Sequence, residues 1–254
     1  MAESISAGSA GPDKPVVDIR DLKISFNRIP ILSGINLQVR HGENLVVLGK
    51  SGSGKSVLIK CLVGLVEPDA GEIRVFDKDI SNLSYEQLNE VRLKVGFLFQ
   101  NAALYDSMTV GDNLAFPLRY HFKKLKPAQI RQLVGEALDS VGLQEAIDKM
   151  PSELSGGMSK RVGLARTLIL KPDIMLYDEP TTGLDTATSK EISALILEMQ
   201  RKKNISSIII THDMHCAKTT ADRLVVLKEG VIAAEGSYDQ LRDGDDPWTK
   251  TFFE

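Results

Sequence analysis

The amino-acid sequence predicts an α/β protein built around a parallel sheet, and three observations carry that reading. Short buried-strand runs recur along the chain, at ENLVVLG (43–49), DIMLYDEP (173–180) and ISSIIITHD (205–213). Segments with helical spacing lie between them, as in PAQIRQLVGEALDSVG (127–142), where Ile130, Leu133, Val134, Ala137, Leu138 and Val141 fall on one face. One glycine-rich stretch, GKSGSGKS (49–56), joins a predicted strand to a predicted helix. Strands that alternate with helices bury their apolar faces as a parallel sheet covered by those helices.

Taken in order, residues 1–15 are rich in Ser, Ala, Gly and Pro and read as a disordered tail, with order expected from Val16. From VVDIRDLKISF (16–26) to ILSGINLQV (31–39) apolar residues alternate, as in short strands. ENLVVLG is a buried strand ending in glycine, and GKSVLIKCLVGLV (54–66) reads as the helix after it. EIRVF and VGFLF read as strands. DIMLYDEP is a strand with carboxylates at its end, and Ile192, Leu195, Ile196 and Met199 mark one face of a helix. ISSIIITHD is another buried strand, and RLVVLKEGVIAAEG (223–236) reads as a hairpin turning at Glu229 and Gly230.

A chain of 254 residues buries ample core without staples. Its two cysteines, Cys61 and Cys216, are far apart and belong to no Cys/His cluster, so neither a disulfide framework nor a zinc site is indicated. Thirty-one basic against 34 acidic residues give a net charge of −3, which argues against bulk attraction to nucleic acid or anionic membrane. No signal peptide and no run of 18 apolar residues is present. A cytoplasmic protein is expected, reaching a membrane only through a partner. His41, His121 and His215 have no chemical context and read as surface residues.

Three stretches carry chemistry. GKSGSGKS satisfies G-x-x-x-x-G-K-[ST] between strand and helix, so the amides of Ser51 to Lys55 surround a β-phosphate, Lys55 reaches the β and γ oxygens, and Ser56 ligates Mg²⁺. In IMLYDEP a buried strand delivers Asp178, which can hold magnesium through water, and Glu179, which can polarise an attacking water. In ELSGGMSKR (153–161) a helix starting at Ser155 leaves unpaired amides at its positive end, and Gly156 and Gly157 let an anion approach. On those nine residues alone, a capped helix entered through a glycine-rich turn is the simpler reading.

In series, GKSGSGKS, Gln100 after VGFLF, LSGGM, IMLYDEP, TTGLD and THD make the chain resemble the ATPase subunits of ABC transporters over nearly all of residues 16–245. That resemblance implies a P-loop NTPase with a RecA-like core, an antiparallel β subdomain and a helical subdomain. It implies a single domain over 16–254, with the helical part inserted at about 101–170, and it implies ATP and Mg²⁺ as ligands and a homodimer. In it, the loop from Gly49 through Lys50, Ser51, Gly52, Ser53 and Gly54 to Lys55 and Ser56 holds the nucleotide. Gln100 senses magnesium and water, and His212 contacts the γ-phosphate and orients Glu179. Ser155, Gly156 and Gly157 face the γ-phosphate held by a second copy, Asp185 communicates across the dimer, and Phe26 aligns with the aromatic that stacks on adenine, a core phenylalanine on the first sheet being the alternative. Met158 departs from the family's usual glutamine.

FQNAALYDSMTVGDNLAFPLR (99–119) and MPSELSGGM further resemble the Mla and Mce phospholipid-transport ATPases of the MlaF type. This implies an integral membrane permease, an MCE-type lipid-binding protein and, in some members, a STAS-domain subunit, with no nucleic acid. Leu104, Tyr105 and Met108 are then candidates to line the groove for a permease helix, with some of the three expected in the core of the helical subdomain instead. Basic RYHFKKLKP (119–127) reads as a solvated loop. An ABC importer ATPase for another substrate, such as amino acids, and a soluble non-transport ABC ATPase are the alternatives. The latter usually has two nucleotide domains or a long coiled coil, and this chain shows one phosphate loop and no sustained heptads.

Overall fold

Two sheets organise the protein, whose computed structural model describes residues 14–253. Residues 1–13 of the expected tail lie outside the described residues. In chain order the elements are β1 (Val17–Phe26), β2 (Ile29–Val39), β3 (Asn44–Leu48), α1 (Lys55–Leu62), β4 (Ala70–Val75), β5 (Lys78–Asp79), α2 (Tyr85–Lys94), β6 (Val95–Leu98), α3 (Val110–His121), α4 (Pro127–Asp139) and α5 (Gly156–Leu168). They continue as β7 (Ile174–Asp178), α6 (Thr186–Lys203), β8 (Ser206–Ile210), α7 (Met214–Thr220), β9 (Arg223–Lys228), β10 (Val231–Gly236), α8 (Tyr238–Asp243) and α9 (Pro247–Lys250).

The larger sheet runs β10-β9-β3-β8-β7-β6. Its pairs are parallel from β9 to β6, and β10 is an antiparallel edge. β3, β7 and β8 are buried at every position, which is why each carries a continuous apolar stretch, at 45–48, 174–177 and 208–210. The smaller sheet is antiparallel, in the order β2-β1-β4-β5, and its alternating burial marks one face packed on the core. The expected hairpin is present, with β9 and β10 paired around Glu229 and Gly230.

One core fills the space between the two sheets, including Leu45, Val47, Ile24, Leu32 and α1 residues such as Leu58 and Ile59. A second lies on the far face of the parallel sheet, under Ile192, Ile196 and Met199 of α6 and Cys216 of α7. A third joins α3, α4 and α5 through Leu114, Leu118, Val134, Leu138 and Val162. Burial pushes the Cys61 and Cys216 thiols up to about 11. The helix expected over 54–66 is shorter than its pattern. It stops at Leu62, where Gly64 takes φ 62° and the amides of Gly64 and Leu65 return to the carbonyls of Cys61 and Lys60. That paired arrangement satisfies the last carbonyls and turns the chain out of the helix. Among the described residues no helix is long and apolar enough to cross a membrane.

Candidate active site

Four neighbouring parallel strands, β3, β8, β7 and β6, end on the same edge of the sheet. The segments leaving their carboxyl ends are Gly49–Ser56, His212, Asp178–Glu179 and Gln100. This edge is where open α/β sheets place their ligands, because the loops there converge while helices cover both faces.

Lys55 begins α1 and is 7% exposed. Its ammonium donates to the carbonyls of Gly49 at 2.7 Å and Lys50 at 3.1 Å, so it is aimed back across its own loop. Burial holds it below the ordinary lysine range, and Glu179 and Asp178 pull it partly back. The Ser56 hydroxyl donates to Asp178 Oδ1 at 2.8 Å, bringing together two of the three residues expected at magnesium. Asp178 is itself buried. A hydroxyl and a carboxylate are hard oxygen donors suited to Mg²⁺, which takes few protein ligands and completes its shell with phosphate and water. Among the described residues no group of three or more His, Cys, Asp or Glu forms a metal site, in keeping with that sparse donor set. Ser53 Oγ is buried without a protein partner.

Glu179 adopts φ 51°, a left-handed conformation that costs about 1–2 kcal/mol outside glycine. It is fixed there by its amide, which donates to Ile210 O at 2.9 Å. Its carboxylate accepts from the Thr182 hydroxyl at 3.0 Å and lies 2.8 Å from His212 Nδ1. The Glu179 side chain is 13% exposed and that of His212 62%, so a half-buried carboxylate is held by a histidine open to the cleft.

The cleft has a volume near 590 Å³, and its lining joins Phe26, the phosphate loop, Gln100, Glu179 and His212. Phe26, at the end of β1, is 46% exposed, so it stands at the cleft wall rather than in the core. Ser155, Gly156, Gly157 and Asp185 lie outside this cleft. Ser155 caps α5 by accepting the Met158 amide at 3.2 Å, with Ser155 and Gly156 exposed and Gly157 buried. Asp185 caps α6 through the amides of Ala187 and Thr188, and with the Thr188 hydroxyl these hold its carboxyl below the usual range. The two helix starts lie side by side, Gly157 against Thr188.

Sequence reasoning missed Lys160 and Thr182. Lys160 is 5% exposed and donates to the main-chain carbonyls of Gln100 and Glu179. Burial lowers its affinity for the proton, against the pull of Asp178 and Glu179.

Residues 32–182 match the family model described as ABC transporter. The chain belongs to that family. As an ABC ATP-binding subunit it takes ATP with magnesium and hydrolyses the nucleotide. It is 40% identical over 236 residues to the "Probable ribonucleotide transport ATP-binding protein mkl" of Mycobacterium leprae, covering 93% of this chain and 68% of that protein. It is 41% identical over 221 residues to the "Methionine import ATP-binding protein MetN" of Rhizobium etli, covering 87% and 61% respectively. The fold is similar to a dimeric ATP-binding cassette, MJ0796, in a post-hydrolysis state bound to ADP and Pi, with a TM-score of 0.81 and 28% identity over 87% of this chain and 98% of that one. It is also similar to cbiO1 from Clostridium perfringens, part of the ABC transporter complex cbiONQ, with a TM-score of 0.80 and 32% identity over 89% of each chain.

Proposed function

We propose that this chain powers a membrane permease through ATP-driven closing and reopening of a homodimer, and that the cargo is phospholipid. One observation carries the dimer: the exposed start of α5 at Ser155 and Gly156 lies outside the cleft that holds Lys55, Glu179 and His212. An exposed helix start next to the Asp185 cap suits the γ-phosphate in a second copy's cleft, and the solved dimer of MJ0796 supports this reading. Residues 16–254 then form one domain, with the helical part at about 101–170 inserted and 1–15 a tail.

In this reading Phe26 stacks on adenine, the amides of Gly49–Ser56 cradle the phosphates, and Lys55 turns from its loop carbonyls to the β and γ oxygens. Ser56, Asp178 and Gln100 hold magnesium, which when bound neutralises phosphate charge. Glu179 polarises the attacking water, and His212, on the same carboxylate, fixes its direction and contacts the γ-phosphate.

A second surface supports coupling to a permease. Phe97, Phe99, Tyr105, Phe116, Tyr120 and Arg166 line a groove of about 510 Å³ between β6 and the α3–α5 region, suited to a cytoplasmic helix. Of the three residues expected there, Tyr105 lines the groove, whereas Leu104 packs into the helical core and Met108 lies outside the lining. The phospholipid cargo, the MCE-type partner and the STAS subunit rest on the resemblance of 99–119 and MPSELSGGM, and they place the chain at the cytoplasmic face of the membrane. The identity to MetN favours a second reading, an importer ATPase for an amino acid.

Glu179→Gln tests the chemistry. It should bind ATP as the parent does, lose about a hundredfold or more in turnover and accumulate an ATP-bound dimer on size exclusion. Turnover unchanged within about twofold would remove Glu179 from its role. The cargo is tested by purifying the tagged chain from its host's membranes in mild detergent and identifying co-purifying proteins by mass spectrometry. A permease with an MCE protein supports lipid transport, an amino-acid permease moves the cargo, and soluble partners alone defeat the transport reading.

A further inference from the structure

Lys160 lies in the first turns of α5, five residues after Ser155, and is almost fully buried. Its ammonium has neutral partners: it donates to the carbonyl of Gln100 and, at 3.1 Å, to that of Glu179. A charge out of water needs such bonds to be tolerated, so the side chain is held where those two carbonyls meet. Gln100 follows β6 and Glu179 follows the adjacent β7. Lys160 therefore joins three things: the helix whose start faces outward, the loop that lines the cleft at Gln100, and the residue whose carboxylate bonds His212.

The rest of α5 reinforces the joint. Arg166 donates to the carbonyls of Ala102 at 2.9 Å and Ala103 at 2.8 Å, two residues with left-handed φ of 57° and 50°. Between the two cations, Gly163 sits so close to the loop that an added Cβ would come within 2.9 Å of Ala102 Cβ. Helix and loop thus pack as one body. At Glu179 the left-handed main chain is held by its amide bond to Ile210 on one side and by Lys160 on the other.

We propose that Lys160 is a positioning residue for hydrolysis: it holds the main chain of Glu179, and so its carboxylate, in register with α5 and the Gln100 loop, linking the seating of α5 on a second copy to the setting of Glu179. The inference rests on the reading of Glu179 as the residue that polarises water.

The experiment uses the full chain with Lys160→Met, Lys160→Gln and Glu179→Gln, measuring kcat and KM for ATP, ATP affinity by equilibrium titration, and amide hydrogen exchange. Lys160→Met keeps the length of the stem and loses both bonds, whereas Lys160→Gln keeps a donor. We expect kcat to fall about tenfold or more in Lys160→Met with ATP affinity within about twofold, and Lys160→Gln to recover part of the loss. Exchange should rise locally over 99–104 and 179–183. With Glu179→Gln inactive, parental kcat and exchange in Lys160→Met would overturn the inference while leaving Glu179 in place. Equal loss in both Lys160 variants with exchange raised throughout the chain would also overturn it, as a general packing role. An active Glu179→Gln would remove the reading on which it stands.

Discussion

Gly157 has a sharper steric reason for being glycine than the approach of an anion. A Cβ at this position would lie 2.4 Å from Thr188 Cγ2, closer than any real contact, because the start of α6 crosses α5 at this point. Its neighbour Gly156 is exposed and has only Leu184 at 3.4 Å, so of the pair it is the one open to a ligand. Gly157 lies inside a helix, where alanine would be favoured by backbone propensity, so any loss on substitution is steric. Gly157→Ala should therefore destabilise the protein by about 1–3 kcal/mol despite that propensity. Thr188→Ser removes the obstructing methyl while retaining the hydroxyl that donates to Asp185 at 2.6 Å. In that background Gly157→Ala should cost at least about 0.5 kcal/mol less, a coupling read from urea unfolding of the four proteins. Strictly additive losses would exclude the Thr188 contact as the cause.

At the scale of elements, α3 shows how a buried amide organises the groove. Asn113 is completely buried; its Oδ1 accepts the Tyr105 amide at 2.8 Å, and its Nδ2 donates to the carbonyls of Tyr105, Met108 and Thr109 at 3.0–3.1 Å. One side chain thus stands in for the missing ladder of the 105–109 loop. Asn113→Asp keeps the shape but removes the side-chain donor from all three carbonyls, of which those of Tyr105 and Thr109 keep a main-chain amide bond, and should cost about 1–3 kcal/mol in urea unfolding. It should also raise amide exchange over 104–109 with ATP affinity unchanged; protected amides there would show that the loop is held by other means. Neither α3 nor Asn113 stood out in the sequence. Pro117 sits inside the helix and interrupts its pattern, and the hydrogen bonds of Asn113 end on main-chain carbonyls, which have no residue signature. The same physics hid Lys160, both of whose partners are carbonyls. α2 buries only Val91 and so lacks an apolar stripe, although its Ser84–Gln87 capping box was visible in principle. β3, β7 and β8 were legible because burial on both faces gives each a continuous apolar stretch. The phosphate loop and the Asp178–Glu179 pair were legible because they end or follow such strands within a few positions, whereas Phe26, Gln100 and His212 were reached through the resemblance to the ABC ATPases.

For the whole molecule, the least legible relation was the one between the two sheets, since it depends on residues far apart in the chain. Arg223, the first residue of β9, bonds Glu43 with Nε at 2.6 Å and Nη2 at 3.1 Å, Glu235 of β10 at 2.5 Å and the Gln38 carbonyl of β2 at 2.5 Å. Glu43 precedes β3 and is 8% exposed. The bond to Glu43 above all, with that to Glu235, raises the guanidinium above its already high ordinary value, so Arg223 itself stays charged. It ties the end of the antiparallel sheet to the parallel one. Arg223→Met leaves the Glu43 carboxylate buried without its partner, and should destabilise by roughly 3–5 kcal/mol. Arg223→Met with Glu43→Gln removes the orphaned charge and should recover part of that loss, so the pair is coupled rather than additive. A loss below about 1 kcal/mol in Arg223→Met would mean the clamp is no stronger than a surface ion pair. The joint also bears on the cleft, because Phe26 comes from the antiparallel sheet and Lys55 from the loop after β3. If the clamp fixes the two sheets relative to one another, Arg223→Met should weaken ATP binding about two- to tenfold at temperatures where the variant remains folded. Unchanged affinity, measured by direct titration, would confine the role of Arg223 to stability.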